Sequence, residues 1–406
     1  MISAVDFTLK PEIADLRDRV AEFIRSECIP LEANPDNYDE HENIRPEILS
    51  GIRKQAQKVG LWAPQIPKEF GGMGLSMTGQ AVIYEEAAYS IFGALALNCA
   101  APDDGNMRLL SMVGTDYQKK RWLQPIVDGA VNSSFVMTEP HPGAGSDPAG
   151  MMLTKAEKSG KKWIITGKKW FITGAGAAQH FMVIARTSDD ARKGLSCFLF
   201  DKDQPGWRIS RRIPIMGPEE HGGHCELEFS GLEVSEEDVL MAIGDGLKAT
   251  QIRLGPARLT HCMRWIGMSR RAMDIAAEYV RERKSFGTSL SEHEGVQWML
   301  GEAAMNIHVS KLTTMYAAWK LDQNDKARKE ISMAKVQVAE TLNSVIDTCI
   351  QLCGAKGYSK DTLLEWMYRY ARQAKLVDGA SEVHKMVLSK IYMNEGQDFW
   401  KWKIQN

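Results

Sequence analysis

The sequence has little that would tie it to a membrane, a nucleic acid or a disulfide framework. None of its apolar runs reaches the roughly 18 residues of a membrane span. Its 50 basic residues against 52 acidic ones leave a formal net charge of -2, which gives no general attraction to polyanions. The cysteines are scattered and number seven, so disulfides are not expected. The N-terminus lacks a basic stretch followed by an apolar one, and a cytoplasmic location is the default expectation.

Signatures of metal sites and of phosphate-binding loops are also scarce. His221 and His224 flank two glycines without a second ligand pair nearby. Cys349 and Cys353 are one helical turn apart, which favours packing over metal ligation. The glycine-rich stretch 134–150 contains neither the Lys-Ser or Lys-Thr pair of a P-loop nor a GxGxxG motif. We therefore predict no metal site.

The pattern of apolar residues divides the chain of 406 residues, which is long enough for two or three domains, into three parts. Helical spacing dominates from residue 11 to 131, alternation follows from about 133, and helical spacing returns near 244. This order predicts an α+β protein with a helical domain at 1–131, a β domain at 132–240 and a helical bundle at 241–406. The bundle helix that precedes Val280 is expected to break at Gly255 and Pro256.

The middle part is expected to contain eight short strands, which are bounded by turn residues. The predicted strands are Ser134–Thr138, Met152–Ala156, Lys162–Thr166, Trp170–Thr173, Phe181–Arg186, Leu195–Phe200, Trp207–Ile213 and Cys225–Phe229.

Two adjacent acids, Asp103 and Asp104, follow Pro102 where the N-terminal helical pattern is interrupted. We interpret this segment as a solvated loop with a helix cap. Burial of an unpaired carboxylate is costly, so each acid should face solvent or meet a polar partner, and solvent is favoured for one of them.

The stretch 134–150 combines a buried strand with a loop rich in glycine and proline. Thr138 and Ser146 supply hydroxyl groups, and the glycines allow a ligand to approach the backbone closely. A flat cofactor that needs donors at its edge fits such a loop better than a phosphate does, although turn chemistry alone also demands these residues. Trp170 and Phe171 before a second glycine loop suit the same cofactor, and core packing explains them equally well.

Five ordered motifs give the chain a resemblance that covers nearly its full length. They are TEPHPGAGSD, KKWFITGAG, RERKSFG, QLCGAKGY and LVDGASEVH. This set resembles the acyl-CoA dehydrogenase superfamily. The resemblance implies an N-terminal helical domain, a central β-barrel-like domain and a C-terminal four-helix bundle, with FAD between them. AAPDDGNM together with DGASEVH is similar to the branch that uses an aspartate base, including the dehydrogenase part of animal kinase-dehydrogenase fusion proteins.

The resemblance also implies which residues contact FAD and substrate. The flavin end is assigned to Phe135, Met137, Thr138, Ser146, Phe171 and Thr173. The adenine and phosphate half is assigned to a second set of residues, which the partner subunit contributes. This set comprises Arg283, Phe286, Gln351, Gly354 and Gly357. Glu382 is assigned to FAD as well, and substrate contacts fall on Ser146, Arg258 and Gly379. Alternatively, Arg283 does not contact FAD and lies at the C-terminus of a surface helix, a position where a cation is favoured.

The catalytic base implied by the resemblance is Asp378, which stands where the family usually has glutamate before glycine. Some members carry the base just before the arginine of the bundle, but here Ala257 precedes Arg258. Burial is expected to raise the pKa of Asp378. The backbone N–H of the same residue is expected to bind the thioester oxygen. An alternative role for Asp378 is to cap the final helix.

Three departures from the family pattern leave cofactor contacts open. An inserted His141-Pro142 lengthens the first flavin loop, Glu294 stands where glutamine is common, and Ala355 and Lys356 replace a frequent Gly-Asn pair. A carboxylate at position 294 would repel a pyrophosphate unless a cation neutralises it or it accepts from ribose hydroxyls.

The function implied is FAD-dependent dehydrogenation of an acyl-CoA thioester to the trans-2-enoyl-CoA. Electrons would pass to an electron-transfer flavoprotein, and the enzyme would be a homodimer or homotetramer. Two alternatives remain. One is an oxidase of the same superfamily, acting on acyl-CoA or on nitroalkanes; the other is a flavin-binding protein without turnover.

Overall fold

The predicted order of helical, β and helical parts is confirmed by the computed structural model, which describes residues 8–147, 150–190 and 193–401. Pro148 and Ala149, at the end of the glycine-rich stretch, lie outside the described residues. Within these described ranges, no helix is both long enough and apolar enough to cross a membrane.

The N-terminal part contains eight α-helices in its described residues, several of them a single turn long. They are α1 (Pro11–Phe23), α2 (Ile29–Glu32), α3 (Pro46–Lys58), α4 (Met77–Ala87), α5 (Gly93–Ala96), α6 (Asp103–Val113), α7 (Asp116–Gln118) and α8 (Gln124–Val127). Helix α1 buries Leu16, Val20 and Phe23, as their helical spacing predicts. Helix α4 is buried almost all round, and Ser76 caps it by accepting from the Gly79 N–H at 3.2 Å.

The solvated loop predicted around Asp103 and Asp104 is wrong. Both residues belong to the first turn of α6 and both are buried, with 9% and 3% of their surface exposed. Carboxylates near a helix N-terminus are favoured by the unpaired N–H groups there, and Asp104 accepts from the Gly105 N–H at 2.6 Å. Their remaining partners lie in other elements and are described below.

The middle part is an eight-stranded sheet. Its strands are β1 (Ser133–Val136), β2 (Lys155–Ser159), β3 (Lys162–Thr173), β4 (His180–Arg186), β5 (Leu195–Asp201), β6 (Trp207–Arg212), β7 (His224–Ser235) and β8 (Val239–Leu240). They run in the order β6-β7-β3-β2-β4-β5-β8, and β1 pairs in parallel with β4. Phe181, Phe198, Phe200 and Phe229 fill the core on one face.

Two strands predicted at Lys162–Thr166 and Trp170–Thr173 are in fact one strand, β3. It pairs with β7 along its length, and the pairing register shifts between Lys169 and Ile172. Gly167 lies inside this strand, and its backbone has a φ of 149°, which a glycine adopts without leaving the sheet.

The C-terminal part begins with a hairpin-linked pair of long helices. Its elements are α9 (Gly246–Glu282), β9 (Lys284–Ser285), β10 (Thr288–Ser289), α10 (Glu294–Asp322), α11 (Arg328–Cys353), α12 (Ala355–Tyr358), α13 (Leu364–Ala371) and α14 (Ser381–Glu395). Helix α11 packs against α9, α10 and α14, and its buried face includes Val338, Leu342 and Val345. Cys349 and Cys353 are buried and unbridged, which confirms their packing role.

The break predicted at Gly255 and Pro256 is wrong, because α9 continues through both residues. Proline has no N–H to give to the carbonyl four residues earlier, so one helical hydrogen bond is lost. Leu254, Ala257 and Leu259 are buried beside it. Their packing on both sides of the proline holds the helix together.

Candidate active site

The two predicted flavin motifs lie side by side, because the end of β1 continues along the irregular part of β3. The Trp170 N–H donates to the Thr138 carbonyl at 3.0 Å, and the Thr138 hydroxyl donates to the Trp170 carbonyl. Ser134 donates to the Thr173 carbonyl at 2.9 Å. The structure therefore brings Thr138 close to Phe171 and Thr173, which follow it in the chain by 33 and 35 residues.

A buried ion pair fixes the loop that follows Thr138. Lys169 is fully buried, and its Nζ donates to the Met137 carbonyl at 2.8 Å and to Glu139 Oε1 at 3.0 Å. The Glu139 carboxylate also accepts from the N–H groups of Leu153 and Thr154, at 2.7 and 2.9 Å. Both ends of the loop are thus tied to one carboxylate.

Phe171 is turned out of the sheet by the register shift in β3. Its φ is 51°, a left-handed conformation that non-glycine residues rarely adopt, and 45% of its surface is exposed. The Thr173 hydroxyl lies beside it, 3.1 Å from His224 Nδ1. Met137 is buried below the same surface, whereas Ser146 lies exposed on the glycine-rich loop.

Arg253 of α9 joins all three parts of the chain at the edge of this surface. Its guanidinium lies 4.7 Å above the ring of Phe135, which belongs to β1. Its Nε donates to Asn106 of α6 at 3.1 Å, and its Nη1 lies 3.9 Å from Asp378 Oδ1. The predicted base therefore faces the strand that precedes the first flavin loop.

The backbone around Asp378 is held by side chains from two helices. Asp378 has a φ of 52°, and its carbonyl accepts from Arg258 Nε at 2.7 Å. The buried Lys335 of α11 donates to the carbonyls of Ala374 and Gly379, at 2.7 and 3.3 Å. Such anchoring can maintain a strained conformation that a free loop would leave. Arg258 and Gly379, both predicted substrate contacts, are thus adjacent to the predicted base.

The carboxylate of Asp378 is largely enclosed, with 17% of the side chain exposed. Burial alone would raise its pKa, but contact with His261 and the positive charges of Arg253 and Arg258 outweigh burial and hold the pKa well below its usual range. The expected rise of the pKa is therefore wrong. Oδ2 lies 3.4 Å from His261 Nε2 and has no partner in hydrogen-bond geometry within the described chain.

The structure supports neither a base at position 257 nor a helix-capping role for Asp378. Ala257 is 4% exposed and its Cβ lies only 3.6 Å from the point where a side chain on Gly105 would begin. Helix α14 starts at Ser381, with Ala380 at the N-cap and no side-chain cap. Asp378 therefore does not cap the final helix.

Asp103 and Asp104 both meet polar partners, so the expectation that one faces solvent is wrong. Asp103 accepts from the N–H and the hydroxyl of Ser133, both at 2.6 Å. Asp104 accepts from Arg264 at 2.7 Å and from the Thr260 hydroxyl at 2.8 Å. Burial raises the pKa of Asp103 to about 6, with Ser133 opposing that rise.

The predicted contacts of the adenine and phosphate half lie in other elements. Arg283 is the C-cap residue of α9, and Phe286 in the β9–β10 turn has 97% of its surface exposed. Among the described residues, no hydrogen bond, ion pair or ring contact joins either of them to Phe171 or Asp378. The other members, Gln351, Gly354 and Gly357, lie around the α11–α12 junction. Glu382, which is assigned to FAD without a half, is the second residue of α14 and lies four residues after Asp378.

The departures from the family pattern are also located. Glu294 is the first residue of α10, and Lys356 in α12 lies 5.8 Å from the ring of Tyr279. His141 and Pro142 are exposed on the glycine-rich loop.

Sequence reasoning missed several residues of this site. Arg253, His261 and Arg264 share one face of α9 with Ala257, at spacings of four, four and three residues. The signal that could have identified them is the presence of three basic residues on one face of a buried helix. Lys169 gave no such signal, since its partner Glu139 is distant in sequence.

Comparison with known proteins adds family information to this geometry. Sequence profiles of the acyl-CoA dehydrogenase N-terminal, middle and C-terminal domains match residues 10–130, 134–232 and 244–393. Acyl-CoA dehydrogenase family member 11 of Gallus gallus is 35% identical over 92% of this chain and 49% of its own length. This chain thus spans about half of that relative. FadE2 of Mycobacterium tuberculosis, assigned as an acyl-CoA dehydrogenase, is 34% identical over 94% of this chain and 95% of its own.

Solved structures agree with the sequence matches. A structure from Mycobacterium abscessus, assigned to the acyl-CoA dehydrogenases, superposes with a TM-score of 0.89 at 31% identity, covering 96% of this chain and 100% of its own. Butyryl-CoA dehydrogenase from Megasphaera elsdenii superposes with a TM-score of 0.83 at 25% identity, covering 96% and 100%.

Proposed function

Because this chain belongs to the acyl-CoA dehydrogenase family, whose members are FAD-dependent oxidoreductases acting on CH–CH bonds, we propose that it converts an acyl-CoA thioester to the trans-2-enoyl-CoA. The observation that carries this proposal is the state of Asp378. Its backbone is anchored from two helices, and one buried carboxylate oxygen lacks a hydrogen bond in the described chain. A polar atom left without a bond at this position is suited to take a proton from a ligand.

The residues present fit a flavin. Phe171 offers an exposed aromatic surface, and the neighbouring Thr138 and Thr173 offer hydroxyl groups at its edge. We also assign Phe135, Met137 and Ser146, which belong to β1 and the loop that follows it, to the flavin end. When bound there, FAD would supply the acceptor for the hydride that leaves the β-carbon of the acyl chain.

The chain's own groups would handle the α-proton. The depressed pKa keeps Asp378 ionised throughout the neutral range, so the free enzyme holds the base ready to accept. As the α C–H bond breaks, the proton passes to an Asp378 oxygen, and the electron pair moves toward the thioester carbonyl. The Asp378 N–H donates no hydrogen bond within the described residues and is left for the thioester oxygen, where negative charge develops.

The decisive experiment replaces Asp378 by asparagine and follows flavin reduction by acyl-CoAs without oxygen. Loss of a general base should lower the rate on the order of a hundredfold or more, while FAD content and thermal stability stay close to wild type. Asp361→Asn, an exposed acid outside the site, is the matched control and should leave the rate unchanged. A fully loaded Asp378→Asn variant that is still reduced at the wild-type rate would remove Asp378 from the mechanism.

The remaining parts of the proposal concern partners. We propose an electron-transfer flavoprotein as electron acceptor, and consumption of oxygen during turnover would instead support an oxidase. We also propose a homodimer or homotetramer, in which Arg283 and Phe286 reach the neighbouring subunit's FAD. The nearly complete exposure of Phe286 supports a role for this residue outside its own subunit.

A further inference from the structure

His261 of α9 lies between the predicted base and a buried arginine. Its Nε2 is 3.4 Å from Asp378 Oδ2, and its Nδ1 is 3.3 Å from Arg264 Nη2. The imidazole ring stacks on the indole of Trp265, with ring centroids 5.1 Å apart and planes inclined by 25°. The ring is therefore held in one orientation, with one nitrogen toward each neighbour.

The partner of Nδ1 determines where the His261 proton resides. A guanidinium has only donors, so Arg264 must donate and Nδ1 must accept. A proton on Nδ1 would break this hydrogen bond and place two cations 3.3 Å apart. With Nδ1 accepting from Arg264, the N–H of the ring lies on Nε2, the nitrogen that is 3.4 Å from Asp378 Oδ2.

Arg264 is itself immobilised, which makes the arrangement rigid. Its Nη1 donates to Asp104 Oδ2 at 2.7 Å and to the Cys99 carbonyl at 2.8 Å. The guanidinium also lies 5.6 Å from the buried ring of Tyr84. Asp104 thus acts at a distance, because it fixes the arginine that fixes the tautomer of His261.

We infer that His261 is a positioning residue for α-proton transfer, whose Nε2–H orients the Asp378 carboxylate and stabilises its charge until substrate arrives. This inference rests on the proposed function, in which Asp378 receives the proton. His261 itself neither gains nor loses a proton in that step.

Other charged or titratable groups also face the Asp378 segment, but from different sides. From α9, Arg253 lies 3.9 Å from Oδ1 and Arg258 donates to the backbone carbonyl. Lys335 of α11 bonds neighbouring carbonyls, and His384 of α14 lies 3.4 Å from the Asp378 carbonyl. Among the described residues, His261 is the basic side chain with a nitrogen within 4.0 Å of Oδ2.

Two substitutions separate positioning from packing. His261→Phe keeps an aromatic ring on Trp265 but removes both nitrogens, whereas His261→Gln keeps a donor for Asp378 and an acceptor for Arg264. The readouts are the pH profile of anaerobic flavin reduction and the exchange of the acyl-CoA α-proton with D₂O. We expect His261→Phe to lower both rates at least tenfold and to move the acidic limb to higher pH, since the carboxylate loses the neighbouring N–H.

The conservative variant should restore both properties. We expect His261→Gln to lie within about threefold of wild type, with the acidic limb unshifted, since its amide reproduces both contacts. If both variants lose activity equally without a change in the pH profile, His261 has only a packing role and the inference is wrong. A wild-type profile in His261→Phe would also overturn it.

A spectroscopic test applies even if His261→Phe does not fold. Histidine labelled with ¹⁵N in the wild-type holoenzyme should show His261 with a protonated Nε2 and a bare Nδ1, the His261→Gln spectrum providing the assignment. An imidazolium or an Nδ1–H tautomer contradicts the inference. Failure of the proposed function gives a different result. In that case none of the acyl-CoAs tested reduces the flavin of the wild-type protein, or the Asp378→Asn variant keeps the full rate.

Discussion

Replacement of Lys169 by methionine tests whether the buried pair with Glu139 organises the flavin-side loop. The substitution keeps the length and apolar stem of the side chain but leaves the Glu139 carboxylate buried with only amide donors. Breaking a buried ion pair by removing one partner costs about 3–5 kcal/mol. The carbonyl of Met137 also loses its donor, so the strand end before Thr138 should loosen.

A double-mutant cycle isolates the pair from the rest of the packing. Glu139→Gln removes the charge and keeps one acceptor oxygen, which serves one of the two N–H groups of Leu153 and Thr154, since these bind different carboxylate oxygens. Lys169→Met combined with Glu139→Gln should therefore be more stable than Lys169→Met alone, by about 2 kcal/mol. Urea unfolding followed by circular dichroism measures the four proteins, and absorbance at 450 nm, a general flavin wavelength, compares their FAD content.

The pH dependence provides a further check with a definite sign. Burial lowers the pKa of Lys169 to about 8, and Glu139 offsets this only in part. Between pH 8 and the ordinary lysine pKa of about 10.4, the unfolded chain binds the extra proton, so the free energy of unfolding of wild type rises with pH. Lys169→Met lacks this rise, and the difference between the two proteins should widen. A Lys169→Met protein as stable as the double variant, with full FAD content, would refute the reasoning.

Two other predictions concern the cofactor's distal half and the N-terminus of α6. Arg283→Glu should lower FAD content and oligomer stability together, because it places a negative charge against the pyrophosphate. Flavin absorbance and sedimentation measure these two properties. A monomer that is fully loaded with FAD would contradict the proposed subunit arrangement. Asp103→Asn should raise the free energy of unfolding at pH 7 by about 1–2 kcal/mol. The pKa of the Asp103 carboxyl is raised to about 6 in the folded protein, so the wild-type protein loses stability as pH rises from about 4 to 6, whereas the asparagine variant does not. Urea unfolding at pH 4 and pH 7 checks this, and an equal loss at both values would contradict it.

Periodicity and turn residues were sufficient to predict the helical, β and helical order and most strand positions. They failed where long-range packing overrides a local preference. Pro256 lies inside α9 because neighbouring side chains are buried, and Gly167 lies inside β3 because the pairing with β7 continues past it. Both residues are breakers by local rules, and nothing local shows what packs against them.

The site was predictable only as far as motifs reach. The motifs indicated Asp378 and Phe171, and the structure adds why each can serve, namely backbone anchoring and exposure at a register shift. The depressed pKa of Asp378 could not be predicted, because it depends on cations one or more helical turns apart on α9. Asp103 looked solvated for the same reason, since its partner Ser133 is 30 residues away.

The position of Arg253 has a consequence for how activity is acquired during folding. Its guanidinium touches Asn106 of the first helical part, Phe135 of the sheet and Asp378 of the last segment. The environment of Asp378, the proposed base, is therefore complete only after residues from about 100 to 380 have reached their places. Chains that stall with one part folded should carry native helix or sheet and yet show no turnover, so recovered activity reports on completed assembly rather than on secondary structure.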